Sequence, residues 1–203
     1  MGEHNLKSCT AFKSKQRVAS GNLLKVARTV KEIIDQDEQA AILIFDDINS
    51  ELVEVDFRGT MAEVLERLER PTAGMASANA SSGTDQRSQR GPGRPKLGVV
   101  SREVTLLQRH WDWLNSQPGG ASAALRKLVE EARRVNSSKD KVRHSQEAAY
   151  RFMSAMAGDF PGFEEVTRAL FAGDSERFNS LMATWSIDIR DHARKLAEAA
   201  FQN

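Results

Sequence analysis

Cysteine is almost missing from this chain: Cys9 is the only one in 203 residues. An internal disulfide is therefore excluded, and a reducing cytoplasm suits the composition. Long apolar runs are missing too. The longest, residues 40–45, is far too short to cross a bilayer. The opening MGEHNLKSCTAFKSK has no apolar signal core, so nothing in it directs export. Phosphate loops, dinucleotide fingerprints and nucleophile elbows do not occur. The histidines are scattered. His4 lies near the start of the sequence, His144 and His192 lack a set of Cys, Asp or His at metal-ligand spacing that would complete a site, and His110 and Asp112 are two residues apart, which turns them in different directions on a helix. These absences point away from an enzyme and from a bound metal or cofactor.

What the chain does have is an uneven charge. The total is +1, but residues 1–70 sum to −3, residues 71–100 to +3, residues 101–143 to +4 and residues 144–203 to −3. A basic middle between acidic ends suits a polyanionic partner, and equally a solvated basic surface.

The expected fold class is α+β: a small N-terminal βαββα domain over residues 1–70, a flexible basic linker over 71–98, and a mostly helical remainder. Residues 10–18 alternate loosely and read as a strand. Asn22 can cap a helix carrying Leu23, Leu24, Ala27, Val30, Ile33 and Ile34 at helical spacing. Residues 41–45 read as a buried strand, and 52–57 as its hairpin partner. Thr60 and Glu63 spell a capping box for a helix to Leu68. The acidic group Asp46, Asp47, Glu51, Glu54 and Asp56 does not follow a calcium loop, and alternating Glu54 and Asp56 fit the solvent face of an edge strand. Residues 71–93 are small and polar and cannot bury enough surface to offset backbone ordering.

Residues 99–136 form the next unit. Alternation over 101–106 predicts a short strand with Val104 and Leu106 on one face and Ser101, Glu103 and Thr105 on the other. A first helix carries Trp111 and Leu114. Gly119-Gly120 makes a turn, and Ser122 stands where a helix cap belongs, ahead of Leu125, Leu128, Val129 and Ala132. Residues 137–203 continue as a C-terminal helical region. There the stripe of Phe178, Leu181, Met182 and Trp185 fits a packing surface better than a ligand box.

Two short resemblances bear on function. Gly93-Arg94-Pro95-Lys96 is similar to the centre of an AT-hook, whose core lies in the narrow minor groove of A·T-rich DNA. That resemblance implies a groove contact by Arg94, with Arg90 and Lys96 on flanking phosphates. Pro92 stands where the family usually has a further arginine. Residues 101–134 resemble the ribbon-helix-helix family of DNA-binding dimers. The resemblance implies an intersubunit ribbon joined through Val104 and Leu106, with Ser101, Glu103 and Thr105 turned toward base edges. It also implies a phosphate seat at the helix start near Ser122. Glu103 departs from the basic or amide residues usual on that face, and Arg102 would face bases only if the register slipped by one.

The segments GRPKLGVVSREVTLLQRHWDWL and PGGASAALRKLVEEAR, with TAF…ASG and VDFRGT upstream, resemble a bacterial family known only as a domain of unknown function. The expectation is a homodimeric DNA-binding protein, a transcriptional regulator with a sensing N-terminal domain. An oligomeric interaction module without a nucleic-acid role is the alternative.

Overall fold

In the computed structural model, which describes residues 7–69, 100 and 102–202, the chain opens with a hairpin. Strand β1 (Ser8–Lys13) turns at Ser14-Lys15 into β2 (Gln16–Asn22). Ser14 takes the turn with φ 53°, and the ladder runs from Lys13↔Gln16 to Ser8↔Asn22 with a bulge at Ala11/Phe12. Strand β3 (Ile42–Asp46) pairs antiparallel with the other edge of β1, giving the order β2-β1-β3.

The class is α+β as expected, but the order of elements is ββαβα. Two expectations change. Residues 10–18 form no single strand, because the polar Ser14-Lys15 pair folds the stretch back on itself. Residues 52–57 form no full hairpin partner of β3 either: only an isolated bridge, Phe45↔Leu52, joins them to it. Ser50, at φ 54°, opens that excursion.

Helix α1 (Leu23–Gln36) begins at Asn22, whose side chain accepts from the Lys25 amide at 2.9 Å. It buries Val26, Ala27 and Val30 against the sheet. Helix α2 (Met61–Glu69) starts with a reciprocal capping box: the Thr60 amide donates to Glu63 Oε2 at 2.7 Å, and the Glu63 amide to Thr60 Oγ1 at 3.4 Å. Both ends agree with the capping rules that the sequence follows.

Farther on come α3 (Gln108–Ser116) and α4 (Gly120–Ala157), the latter one continuous helix of 38 residues. It merges two helices that the sequence suggested separately, since nothing in residues 136–143 breaks a helix. Then follow α5 (Phe163–Ala172), α6 (Ser175–Leu181) and α7 (Ile187–Ala197), with short 3₁₀ turns at Met182–Thr184 and Glu198–Phe201. Left-handed Gly162 and Gly173 bracket α5.

The chain divides into two compact units, the first built from residues 1–71 together with 136–203, the second from 72–135. In the first unit the stripe of Phe178, Met182 and Trp185 is buried. It shares one core with Phe152 and Met153 of α4, and with Phe12 of β1 and Phe45 of β3. Phe152 lies 5.2 Å from Phe12 and 5.1 Å from Phe45, ring centre to ring centre. The Arg17 amide donates to Asp188 at 2.9 Å, and Arg151 donates to the carbonyl of Asn49. The sheet and the last helices are therefore halves of one hydrophobic body.

Candidate functional site

The second unit carries the residues that the sequence singles out. Residues 102–107 form neither helix nor strand, so the strand expected over 101–106 is not formed by its described part, which joins no ladder among the described residues. The Leu107 carbonyl takes the first amides of α3, from His110 at 2.8 Å and Trp111 at 3.2 Å, without a side-chain cap. The turn to α4 is made by Gly119 and Gly120 at φ 86° and 74°, as the glycine pair suggested. At Gly119 a Cβ would also sit 3.0 Å from that of Ala123. Helix α4 starts at Gly120, so Ser122 lies inside its first turn, exposed, and is not the cap expected of it. The two left-handed glycines take over that role by turning the chain directly into the helix.

Of the residues assigned to DNA contact, Arg102, Glu103 and Thr105 stand exposed on this irregular stretch. Arg90, Arg94, Lys96 and Ser101 lie outside the described residues. Of the two residues assigned to the dimer, Val104 is 53% exposed and Leu106 half-buried. The surface around them is basic. Arg109, Arg126, Lys127 and Arg134 are exposed, and Arg133 pairs with Glu130 at 3.1 Å.

What the sequence did not disclose is how little this unit buries. Leu114 is the one fully buried apolar side chain among its described residues. Val100, Val104, Leu107, Trp113, Leu128, Val129 and Val135 are all exposed, although the helical pattern would place several of them in a core. Apolar periodicity marks which side of a helix is apolar, without saying which molecule covers it.

The first unit holds a second group of polar residues. Asp47 accepts from Ser8 at 2.7 Å and Thr10 at 2.6 Å, and Lys195 stands 3.6 Å away. Burial pushes its carboxyl up, but the two hydroxyls and the nearby positive charge outweigh that and hold it below the usual carboxylate range. His192 is almost fully buried against Phe12 and Phe152, and burial pushes its imidazole down to about 4. The Cys9 thiol is raised to about 11 by burial and by Asp46 and Asp47, which makes it a poor nucleophile. No group of three or more His, Cys, Asp or Glu side chains that could hold a metal occurs among the described residues. Asp47 is engaged by hydroxyls and a lysine, and Asp56 by Arg58 at 2.9 Å, so both carboxylates serve the fold.

A family profile described as an uncharacterized protein conserved in bacteria (DUF2239) matches residues 8–197. No curated protein matches the chain. No solved structure matches it either.

Proposed function

The chain belongs to this bacterial family, and from that premise we propose that it is a DNA-binding protein, a transcriptional regulator that acts in the cytoplasm as a homodimer. The observation that carries the proposal is the exposed apolar surface of residues 100–135. A segment of fewer than about 40 residues rarely holds a core alone, and then needs a disulfide, a metal or a second copy. It contains no cysteine, and its described residues offer no metal cluster. Self-association is the route that this reading takes. Val104 and Leu106 form the joint, and pairing with a copy would satisfy the backbone groups of Arg102–Leu107.

The basic side chains then fall on one assembly. Glu103 and Thr105 meet the duplex, with Glu103 accepting from a cytosine amine, and the first turn of α4 around Ser122 seats a phosphate, while Arg102 joins them only in a register slipped by one residue. The arm with Arg90, Arg94 and Lys96 adds a minor-groove contact and Ser101 a base-edge contact. Binding should weaken steeply with salt, with a slope of about −0.9 per neutralised phosphate. Gel retardation on mixed and A·T-rich duplexes across a salt series tests this, and no retardation even at low salt would reject it.

A second reading, an oligomeric interaction module without a nucleic-acid role, is favoured by Glu103, an exposed carboxylate on the very stretch that would meet phosphates. Sedimentation showing a dimer, combined with absent retardation, would select it.

A further inference from the structure

Strand β3 is an edge of the sheet, and its outer side is only partly paired. The ladder with β1 decides which of its backbone groups face outward. The Asp47 amide donates to the Ser8 carbonyl at 2.9 Å, so in this register Phe45 and Leu43 exchange hydrogen bonds with Thr10 and Phe12. Ile42, Ile44 and Asp46 therefore turn their amides and carbonyls the other way. There the arm of residues 51–57 meets them at one end. The Asp46 amide donates to the Glu51 carbonyl at 2.9 Å and the Val53 amide to the Ile44 carbonyl at 2.8 Å, on either side of the bridge Phe45↔Leu52. Beyond Val53 the arm leaves the edge, and the Ile42 and Ile44 amides have no acceptor among the described residues. The gap is a cleft of about 340 Å³ lined by residues 42–44 and 52–55 and by Val30 and Ile34 of α1.

The arm already has the pattern of the missing strand. Continued from the bridge, the register sets Ile44 opposite Val53, Leu43 opposite Glu54 and Ile42 opposite Val55. Opposed residues of an antiparallel pair share a face. Leu43 and Glu54 are both exposed, whereas Ile42, Ile44, Val53 and Val55 all belong to the apolar cluster of Val26 and Val30. A slip of one residue would destroy that match. What holds the arm away is Arg67 of α2. Its guanidinium donates to the carbonyls of Asp56, at 2.8 Å, and Arg58, in a turn that the Arg58 side chain ties to Asp56 at 2.9 Å.

We propose that residues 53–55 are a strap that closes onto β3 as a fourth strand, and that Arg67 is the latch holding it open. Closure adds hydrogen bonds from the Ile44 amide to the Val53 carbonyl, from the Ile42 amide to the Val55 carbonyl, and from the Val55 amide to the Ile42 carbonyl. It satisfies the open edge and shuts the cleft. The inference goes beyond the DNA-binding reading and does not depend on it.

Hydrogen exchange on the full chain, followed residue by residue with NMR, tests the latch. Arg67→Ala should slow exchange of the Ile42, Ile44 and Val55 amides by about tenfold, the usual worth of one hydrogen bond to a charged group. The Leu43 amide, which faces β1, should not change. Were Arg67 a mere brace, its loss would loosen the arm, so faster or unchanged exchange at the named amides overturns the proposal. Protection that grows with protein concentration would put a second chain on the edge and overturn it as well. A second variant keeps Arg67 in place. Leu43→Cys with Glu54→Cys creates a facing pair of the closed register, at a non-hydrogen-bonded position where the side chains stand closest. Oxidised glutathione should join the two cysteines, and the Ile42, Ile44 and Val55 amides should then become protected. Cys9 is buried, with its thiol raised to about 11, and stays out of the exchange. No bond between the new cysteines, or a bond without that protection, rejects the strap, and this pair decides the matter where circular dichroism shows Arg67→Ala unfolded.

Discussion

The imidazole of His192 lies 4.5 Å from the ring of Phe152, centre to centre, and Phe12 closes on it from the sheet at 5.2 Å. Its Nε2 has no hydrogen-bond partner. A histidine in that place is kept neutral, and the consequence is a stability that depends on pH. Above pH 6.5 the ring is neutral both folded and unfolded, so the pair of states is unaffected. As pH falls below 6.5 the unfolded ring takes a proton while the folded ring, at about 4, resists. Stability should fall between these values and level off below them, by roughly 3 kcal/mol in all. Urea midpoints at pH 4, 5.5 and 7 measure this, and His192→Leu should flatten the curve. The acid loss carried by Asp47 lies lower, because its carboxyl sits below the usual range and its contribution disappears only as pH falls through that point.

Phe152→Ala should destabilise the first unit by about 3–5 kcal/mol, since it empties space shared by Phe12, Phe45 and His192. Equal loss is expected in near-ultraviolet signal and in thermal midpoint. A cost below 1 kcal/mol would mean that the sheet and helices do not share this core.

In the proposed homodimer, Val104→Asp would bury an unmatched charge on each paired strand and should leave a monomer. Sedimentation across a concentration series reads the change. A monomer–dimer balance indifferent to the substitution would place the joint elsewhere.

On the proposed minor-groove contact, Arg94→Ala should lower affinity for A·T-rich duplexes while leaving the oligomeric state unchanged. Affinity equal to that of the unaltered chain would remove the arm from the interface.

Residues 1–71 expressed alone should stay poorly folded, because Phe12 and Phe45 lose the partners that residues 136–203 supply. Mixing with the 136–203 fragment should restore near-ultraviolet signal. A fully folded 1–71 fragment would contradict the shared core.

Local signals in the sequence were legible where the chemistry is local. Asn22 caps α1, Thr60 and Glu63 cap α2, and the glycine pair turns the chain before α4, each within a few residues of its partner. The hairpin at Ser14-Lys15 was missed because neither residue is a strong turn former and the left-handed φ of Ser14 is imposed by ladder closure. Residues 52–57 misled for the opposite reason: their alternation is real, but it lines a cleft instead of completing a sheet. The partnership of Phe12 with Phe152 and His192 was invisible. Burial across 140 or more positions leaves no periodic trace, and His192 looks like any surface histidine on a helix. For the candidate interface, the alternation over 101–106 reads as a strand, yet residues 102–106 join no ladder among the described residues, and Leu128 and Val129 stand exposed although their helical spacing reads as a core.

The pairing of Phe12 with His192 also sets a timetable for biosynthesis. Phe12 of β1 is synthesised 180 positions before its aromatic partner His192 on α7. At ordinary bacterial elongation rates that gap lasts roughly 10–40 s. Throughout it the nascent sheet lacks the cover that His192 and the rest of α7 supply, and the shared core closes only once that helix has been made. Products truncated before α7 should therefore be the ones that chaperones hold and proteases clear.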